Sequence, residues 1–361
     1  MMAGTDRVLA VPLLGERSGG VGQVGSLLWR VMRQTWPADC ALVPLLRDGR
    51  LSPTLGDKLG FGWTVGARQI SRRARWILFA HLGLARAERF LPVSARAPYA
   101  VFLHGVEAWK PLGRTERAVL QGARLRLANS AFTARRTQAR NPWVGPIEVC
   151  PLALPDEPPA STPPGTAVAE KIVLVVGRMA AGERYKGHEE LIDAWPDVLA
   201  REPAAELVIV GDGDDRPRLE SRARAGRAAH RIRFAGFVAR AGLHDLYRRA
   251  AIFALPSRNE GFGLVYLEAM AHRLPCVGSV HDAAGEIVLH GETGLLVDTD
   301  SRHETAAAIA ELLGNPGLRR QMGEAGHDRW RRVFSFERFR DRAVSLIERG
   351  LEAGRGLEPS A

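Results

Sequence analysis

Five prolines fall within the eleven residues from Pro155 to Gly165, a density that neither a helix interior nor a central strand tolerates. The segment reads as a linker, and it divides the chain into two runs of the same kind. Before it, Arg7 to Leu14, Ala41 to Leu46, Ala100 to Leu103 and Leu125 to Ala128 are apolar stretches of strand length, separated by helical stretches such as Gly25 to Gln34 and Ala131 to Arg140. After it, Lys171 to Val176, Glu206 to Val210, Ile232 to Phe234, Ile252 to Leu255 and Pro275 to Val277 supply strands, with helices such as Glu189 to Leu199 and Leu243 to Arg249 between them. Strands that alternate with helices build parallel sheets covered on both faces. At 361 residues the chain exceeds what one core usually serves, so two α/β domains are expected. Their expected bounds are 1–155 and 169–333, with the linker at 156–168 and a C-terminal amphipathic segment at 334–361.

Charge separates the two halves. Residues 1–155 carry 22 Lys and Arg against 9 Asp and Glu, a balance of +13, while the remainder carries −3. Within the basic half, Arg68 to Phe79 mixes arginines with Trp76, Ile77, Leu78 and Phe79, the composition of a helix that rests on anionic headgroups. An anionic membrane surface is therefore an expected partner. Nucleic acid is not, because no helix-turn-helix, zinc-finger or RNA-recognition signature accompanies the charge. Cys40, Cys150 and Cys276 have no paired spacing, which fits a reducing compartment such as the cytoplasm. No window holds about 18 uninterrupted apolar residues, so contact with the inner face of a membrane would be peripheral.

The chemistry is concentrated between Ile252 and Ala271. A strand-like run ends near Ser257, and Leu264 to Ala271 reads as the helix that follows, so Gly261, Phe262, Gly263 and Leu264 form a turn whose backbone N–H groups face out at a helix N-terminus. Such a turn suits a diphosphate. Glu260 precedes the helix and Glu268 lies two turns into it, too far apart to share a proton but able to hold different hydroxyls of one ligand. Upstream, Arg178 and Lys186 stand eight residues apart just beyond a strand, where fixed cations stabilise a departing diphosphate.

This pattern, with Gly291 to Val297 after it, resembles the E-x7-E signature of the retaining glycosyltransferases of family 4, the glycogen-synthase-like glycosyl transferases group 1. The resemblance implies a GT-B fold, in which two Rossmann-like domains face each other across a cleft. It further implies hexosyl transfer, without metal or cofactor, from a nucleotide sugar of the GDP-mannose or UDP-glucose type to a glycan or lipid-linked sugar acceptor. By the same resemblance Arg178 and Lys186 hold the phosphates, Glu268 holds the ribose, and Glu260 with the backbone of Gly261 to Leu264 holds the donor sugar. Gly213 and Val238, at the ends of two further strands, would wall the nucleotide pocket. In the first domain Gly20 and Gly22 would form a loop closing over the donor phosphates, and His104, at a strand end, would contact the reacting sugar. Glu107 and Trp109 are candidates for the acceptor side. Asn129 or Ser130 reads as a helix cap.

Alternatives share several of these residues. Gly20-Val21-Gly22-Gln23-Val24-Gly25 formally matches a dinucleotide fingerprint with Asp48 as its ribose acid, but the expected strand ends several residues too early. Asp212-Gly213-Asp214 fits a metal-binding D-x-D pattern, although its similarity to the family's glycine-rich strand-end turn implies a structural role. A sugar-nucleotide epimerase would use a similar cleft without an acceptor, and a transferase acting on a small soluble acceptor is the other alternative.

Overall fold

The structure is a computed structural model that describes residues 6–13, 19–46, 52–155 and 171–352. The expected linker, apart from Pro155, and Asp48 lie outside the described residues. The chain forms two compact units, one comprising Met1–Pro155 with Phe336–Ala361 and the other Asp156–Ser335.

The first unit holds six parallel strands, β1 (Asp6–Val11), β2 (Cys40–Pro44), β3 (Ala74–Phe79), β4 (Tyr99–Leu103), β5 (Leu125–Ala128) and β6 (Glu148–Val149), in the order β2-β1-β3-β4-β5-β6. The direction of winding reverses between β1 and β3. Val8 to Val11, Trp76 to Phe79 and Ala100 to Leu103 have no solvent exposure, as expected of strands covered on both faces.

Two expectations are overturned here. The basic segment Arg68 to Phe79 is not a surface helix. Helix α2 (Leu55–Ile70) ends within it, Arg72 takes a left-handed turn with φ 55°, and β3 carries Trp76 to Phe79 into the centre of the sheet. The second concerns Gly20 and Gly22, which are not in a loop. They lie in the first turn of helix α1 (Gly19–Thr35), where Gly22 is buried.

The C-terminal helix Phe336–Ile347 and the turn Glu348–Glu352 complete this unit. Phe336, Phe339, Ala343, Leu346, Ile347 and Leu351 are buried, and the Arg30 guanidinium lies 3.7 Å from the centre of the Phe336 ring. Glu352 accepts from Arg7 Nε and from Trp76 Nε1, each at 3.0 Å.

The second unit repeats the plan with β7 (Ile172–Val176), β8 (Glu206–Val210), β9 (Ile232–Gly236), β10 (Ile252–Ala254), β11 (Cys276–Ser279) and β12 (Gly294–Val297), all parallel, in the order β12-β11-β10-β7-β8-β9. Its winding reverses between β7 and β10. A crevice at the carboxyl ends of strands flanking such a reversal is where open α/β sheets hold ligands.

Candidate functional site

At that reversal in the second unit, the segment after β7 meets the segment after β10. Lys186 Nζ donates to Glu260 Oε2 at 3.2 Å and lies 4.0 Å from Glu183 Oε2. Burial opposes the charge on Lys186, but Glu260, Tyr185 and Glu183 outweigh it and hold the ammonium above its ordinary value. Arg178, more exposed, forms a two-bond ion pair with Glu183. Two cations and two carboxylates thus converge on one strand end.

The backbone around them is fixed by close approach. Gly211, with φ 137°, sits where a Cβ would fall 2.0 Å from the carbonyl oxygen of Gly177, and a Cβ on Gly213 would fall 2.1 Å from that of Met179. Only glycine permits this contact between the ends of β7 and β8. Asp212 and Asp214 are engaged in the same turn, accepting from the N–H of Gly213 at 2.9 Å and of Ala181 at 2.8 Å. Val238 follows β9 and is partly buried, its Cγ1 3.0 Å from where a Cβ on Gly242 would stand.

Glu260 is held from the main chain. Asp282 Oδ2 accepts from the Glu260 N–H at 3.1 Å and from the Ser257 hydroxyl, while Asp282 Oδ1 accepts from the Ala284 N–H at 2.9 Å. Burial pushes the Asp282 carboxyl up to about 6 against these bonds. The helix Leu264–Ala271 begins at Gly263, whose φ of 92° is left-handed and which supplies no side-chain cap. Phe262 is buried against Phe334, with ring centres 6.0 Å apart, so this residue meets any ligand through its backbone alone. Tyr266 donates to the carbonyl of Leu255 at 2.6 Å and ties the helix to the end of β10.

Two turns along, Glu268 Oε2 accepts from the Tyr247 hydroxyl at 2.8 Å. Burial raises the Glu268 carboxyl above its ordinary value, with Tyr247 and Arg240 opposing the rise. Tyr247 is itself buried and stacked on His272 at 5.1 Å.

Three contributors to this neighbourhood are invisible to motif reading: Asp282, Tyr247 and His188. The His188 ring lies 3.4 Å from where a Cβ on Gly177 would stand. Burial, then Lys186, lowers it to about 4, and its Nε2 is buried without a partner. None of the three belongs to a spacing pattern, since each reaches its partner only through the fold.

In the first unit His104 follows β4. Its Nε2–H donates to the carbonyl of Ala80 at 2.6 Å, and its ring stacks on that of His81 at 5.8 Å. Glu107 accepts from the His104 N–H at 2.6 Å, so it closes the turn that carries the histidine. Trp109, expected on the acceptor side, is instead 7% exposed and packed edge-on against Phe132 at 5.4 Å. Ser130 is the cap, accepting from the Thr133 N–H at 3.0 Å, and Asn129 donates to the carbonyl of His104 at 2.9 Å.

Among the described residues, one trio of His and Asp has ligand atoms within 4.8 Å of one another: His281, Asp298 and Asp300. His281 already bonds Asp298 at 2.7 Å and Arg258 pairs with Asp300 at 2.5 Å.

The two parallel sheets and their order define a GT-B fold. The solved structures agree. The chain superposes on HepE from Anabaena, solved with UDP and glucose, with a TM-score of 0.76 at 19% identity over 95% of this chain and 100% of that one. On sucrose-phosphate synthase from Thermosynechococcus elongatus the TM-score is 0.73 at 23% identity, over 96% and 100%. Residues 160–329 match the model of the family Glycosyl transferases group 1. In sequence the chain is 39% identical over 167 residues to the phosphatidyl-myo-inositol mannosyltransferase of Mycobacterium tuberculosis, covering 45% of this chain and 43% of the relative. It is 35% identical over 153 residues to the alpha-D-kanosaminyltransferase of Streptomyces kanamyceticus, covering 42% and 39%. The matches thus span less than half the length of these curated relatives.

Proposed function

We propose that the chain is a retaining glycosyltransferase that moves a hexosyl group from a nucleotide sugar to the hydroxyl of a lipid-linked or envelope-polysaccharide acceptor. The observation that carries this reading is the Lys186–Glu260 pair at the reversal between β7 and β10, beside the uncapped start of the helix Leu264–Ala271. On donor binding the pair separates by function. Lys186, with Arg178, turns to the diphosphate and offsets the charge that grows on it as the glycosidic bond breaks. Glu260, released from Lys186 and still aimed by Asp282, accepts from hydroxyls of the donor sugar. The N-terminal backbone of the helix adds donors for the phosphates, and Glu268 takes the ribose through the oxygen that Tyr247 leaves to it.

These groups supply the positive charge that a bridging cation would otherwise bring, and Asp212 and Asp214 serve their own turn, so a metal-independent reaction is the form we propose. Without a carboxylate assigned beneath the anomeric carbon, the acceptor attacks from the side the diphosphate leaves, and the departing phosphate takes the acceptor's proton. That course retains configuration. His104, its Nε2–H held by the Ala80 carbonyl and its turn closed by Glu107, would hydrogen-bond the sugar through its other ring nitrogen as charge develops. The donor would be of the GDP-mannose or UDP-glucose type, which the mannosyltransferase relative and the UDP-bound neighbour support. The three cysteines are free, which suits action on the cytoplasmic face of a membrane.

Thermal melting against UDP, GDP, ADP and dTDP tests the donor reading. One nucleotide should raise the melting temperature of the native chain and lose that effect in Glu268→Ala. No stabilisation by any of the four would refute it.

A further inference from the structure

Helix α2 opens with a capping box between Thr54 and Asp57 and then carries Leu55, Leu59, Trp63 and Ile70 toward solvent. These four, with Phe90 and Val93 of the following segment, are 66 to 80% exposed, and Trp63 is the most exposed of all. Residues 55, 59 and 63 repeat every four positions, so they form one ridge along the helix. Among the described residues, nothing lies within 4 Å of where a Cβ would stand on Gly60 or Gly62 beside it. The two segments form one surface. Gln69 donates to the buried Glu88 at 2.8 Å, and Leu91 lies 3.5 Å from where a Cβ on Gly66 would stand.

Among the described residues of these two segments, the charge that faces solvent unpaired by another side chain of opposite sign is positive. Lys58, Arg72, Arg73 and Arg89 are exposed. Of the carboxylates in the same segments, Asp57 is half-buried and accepts from the Thr54 N–H and hydroxyl in the cap, and Glu88 lies in the interior. Arg68 and Arg86 are neutralised by Asp6 and Glu116. We propose that this surface seats the protein on an anionic lipid bilayer, with Leu59, Trp63, Ile70, Phe90 and Val93 entering the headgroup layer and the four cations meeting lipid phosphates. A second copy of the chain fits less well, because an isologous contact would press each of these cations toward a like charge. Among the described residues no helix is long and apolar enough to cross a membrane, and the patch needs none. The inference gives the membrane part of the proposed function a location, but it stands on the exposed residues and not on the transferase chemistry.

Flotation of the full-length protein with vesicles tests it. The wild type should float at low salt with vesicles containing phosphatidylglycerol and not with phosphatidylcholine alone, and its tryptophan emission should shift to the blue. Trp63→Phe should keep the binding and lose most of the shift. Leu59→Gln with Trp63→Gln should cut the bound fraction about tenfold with an unchanged melting temperature, since both side chains are exposed. Lys58→Gln with Arg72→Gln and Arg73→Gln should do the same and flatten the salt dependence. Failure of the wild type to bind phosphatidylglycerol vesicles, or equal binding by the Leu59/Trp63 variant, overturns the proposal. So does a concentration-dependent dimer in sedimentation that this variant abolishes while no vesicles are bound. Nucleotide stabilisation of the Leu59/Trp63 variant, measured in parallel without lipid, reports on the donor site alone, so the two readings fail independently.

Discussion

Tyr247 offers its hydroxyl to a carboxylate that burial would otherwise protonate more readily. Replacing it by Phe removes a donor to the ionised form, so Glu268 should titrate at a still higher pH and the ionised fraction should be lost earlier as the solution is acidified. Calorimetric titration of Tyr247→Phe with the preferred nucleoside diphosphate should show affinity about tenfold lower at pH 7, near 1.4 kcal/mol, with the gap to wild type widening toward pH 6. His188 makes a different pH statement. Its folded value of about 4 lies below its ordinary 6.5, so the unfolded chain gains a proton first, and stability is lost as the pH falls from 6.5 toward 4. In His188→Gln, melting curves of the second unit across that window should show a shallower loss, smaller by up to about 3 kcal/mol. His104→Ala should spare nucleotide binding and lower sugar transfer at least about a hundredfold in a radiolabelled-donor assay.

At the level of elements, the turns between strands and helices are the stiff parts. Gly211→Ala would drive a methyl group into the carbonyl of Gly177, and nothing there is a flexible side chain that could move aside. Chemical denaturation should report a loss of at least about 2 kcal/mol in the second unit. The helix Leu264–Ala271 was legible from its residues because a strand and two glycines precede eight residues that are good helix formers and apolar but for Glu268. β3 was not. Ala74 to Phe79 is nearly all apolar, and a continuous apolar run carries no period to tell a doubly covered strand from a buried helix. The neighbouring arginines belong to the turn at Arg72, which tertiary packing sets. The exposed ridge of α2 escaped for the opposite reason: Gly56, Gly60, Gly62 and Gly66 lower helix propensity over the stretch, and burial of Phe61 and Val65 beneath it becomes visible only in the fold. Likewise the spacing of Glu260 and Glu268 was readable, whereas Asp282 and Tyr247, which hold them, come from other segments.

At the scale of the whole molecule, each unit carries its own sheet and core. The first is closed by a segment from the far end of the chain, through Glu352 on Arg7 and Trp76 and through the buried face of Phe336–Ile347. Removing residues after Ser335 should lower the melting temperature of the first unit and expose apolar surface to a reporter dye, while the nucleotide-dependent transition of the second unit persists. The same arrangement orders events at the ribosome. The second unit is continuous in sequence and can finish folding as soon as residue 335 has emerged, although its synthesis starts later. The first unit, begun earlier, must wait with Trp76 and the face of α1 uncovered until residues 336–352 arrive. Domains usually mature in the order they are made. Here the half that is translated first is completed last, and its unfinished sheet is the species a chaperone would meet.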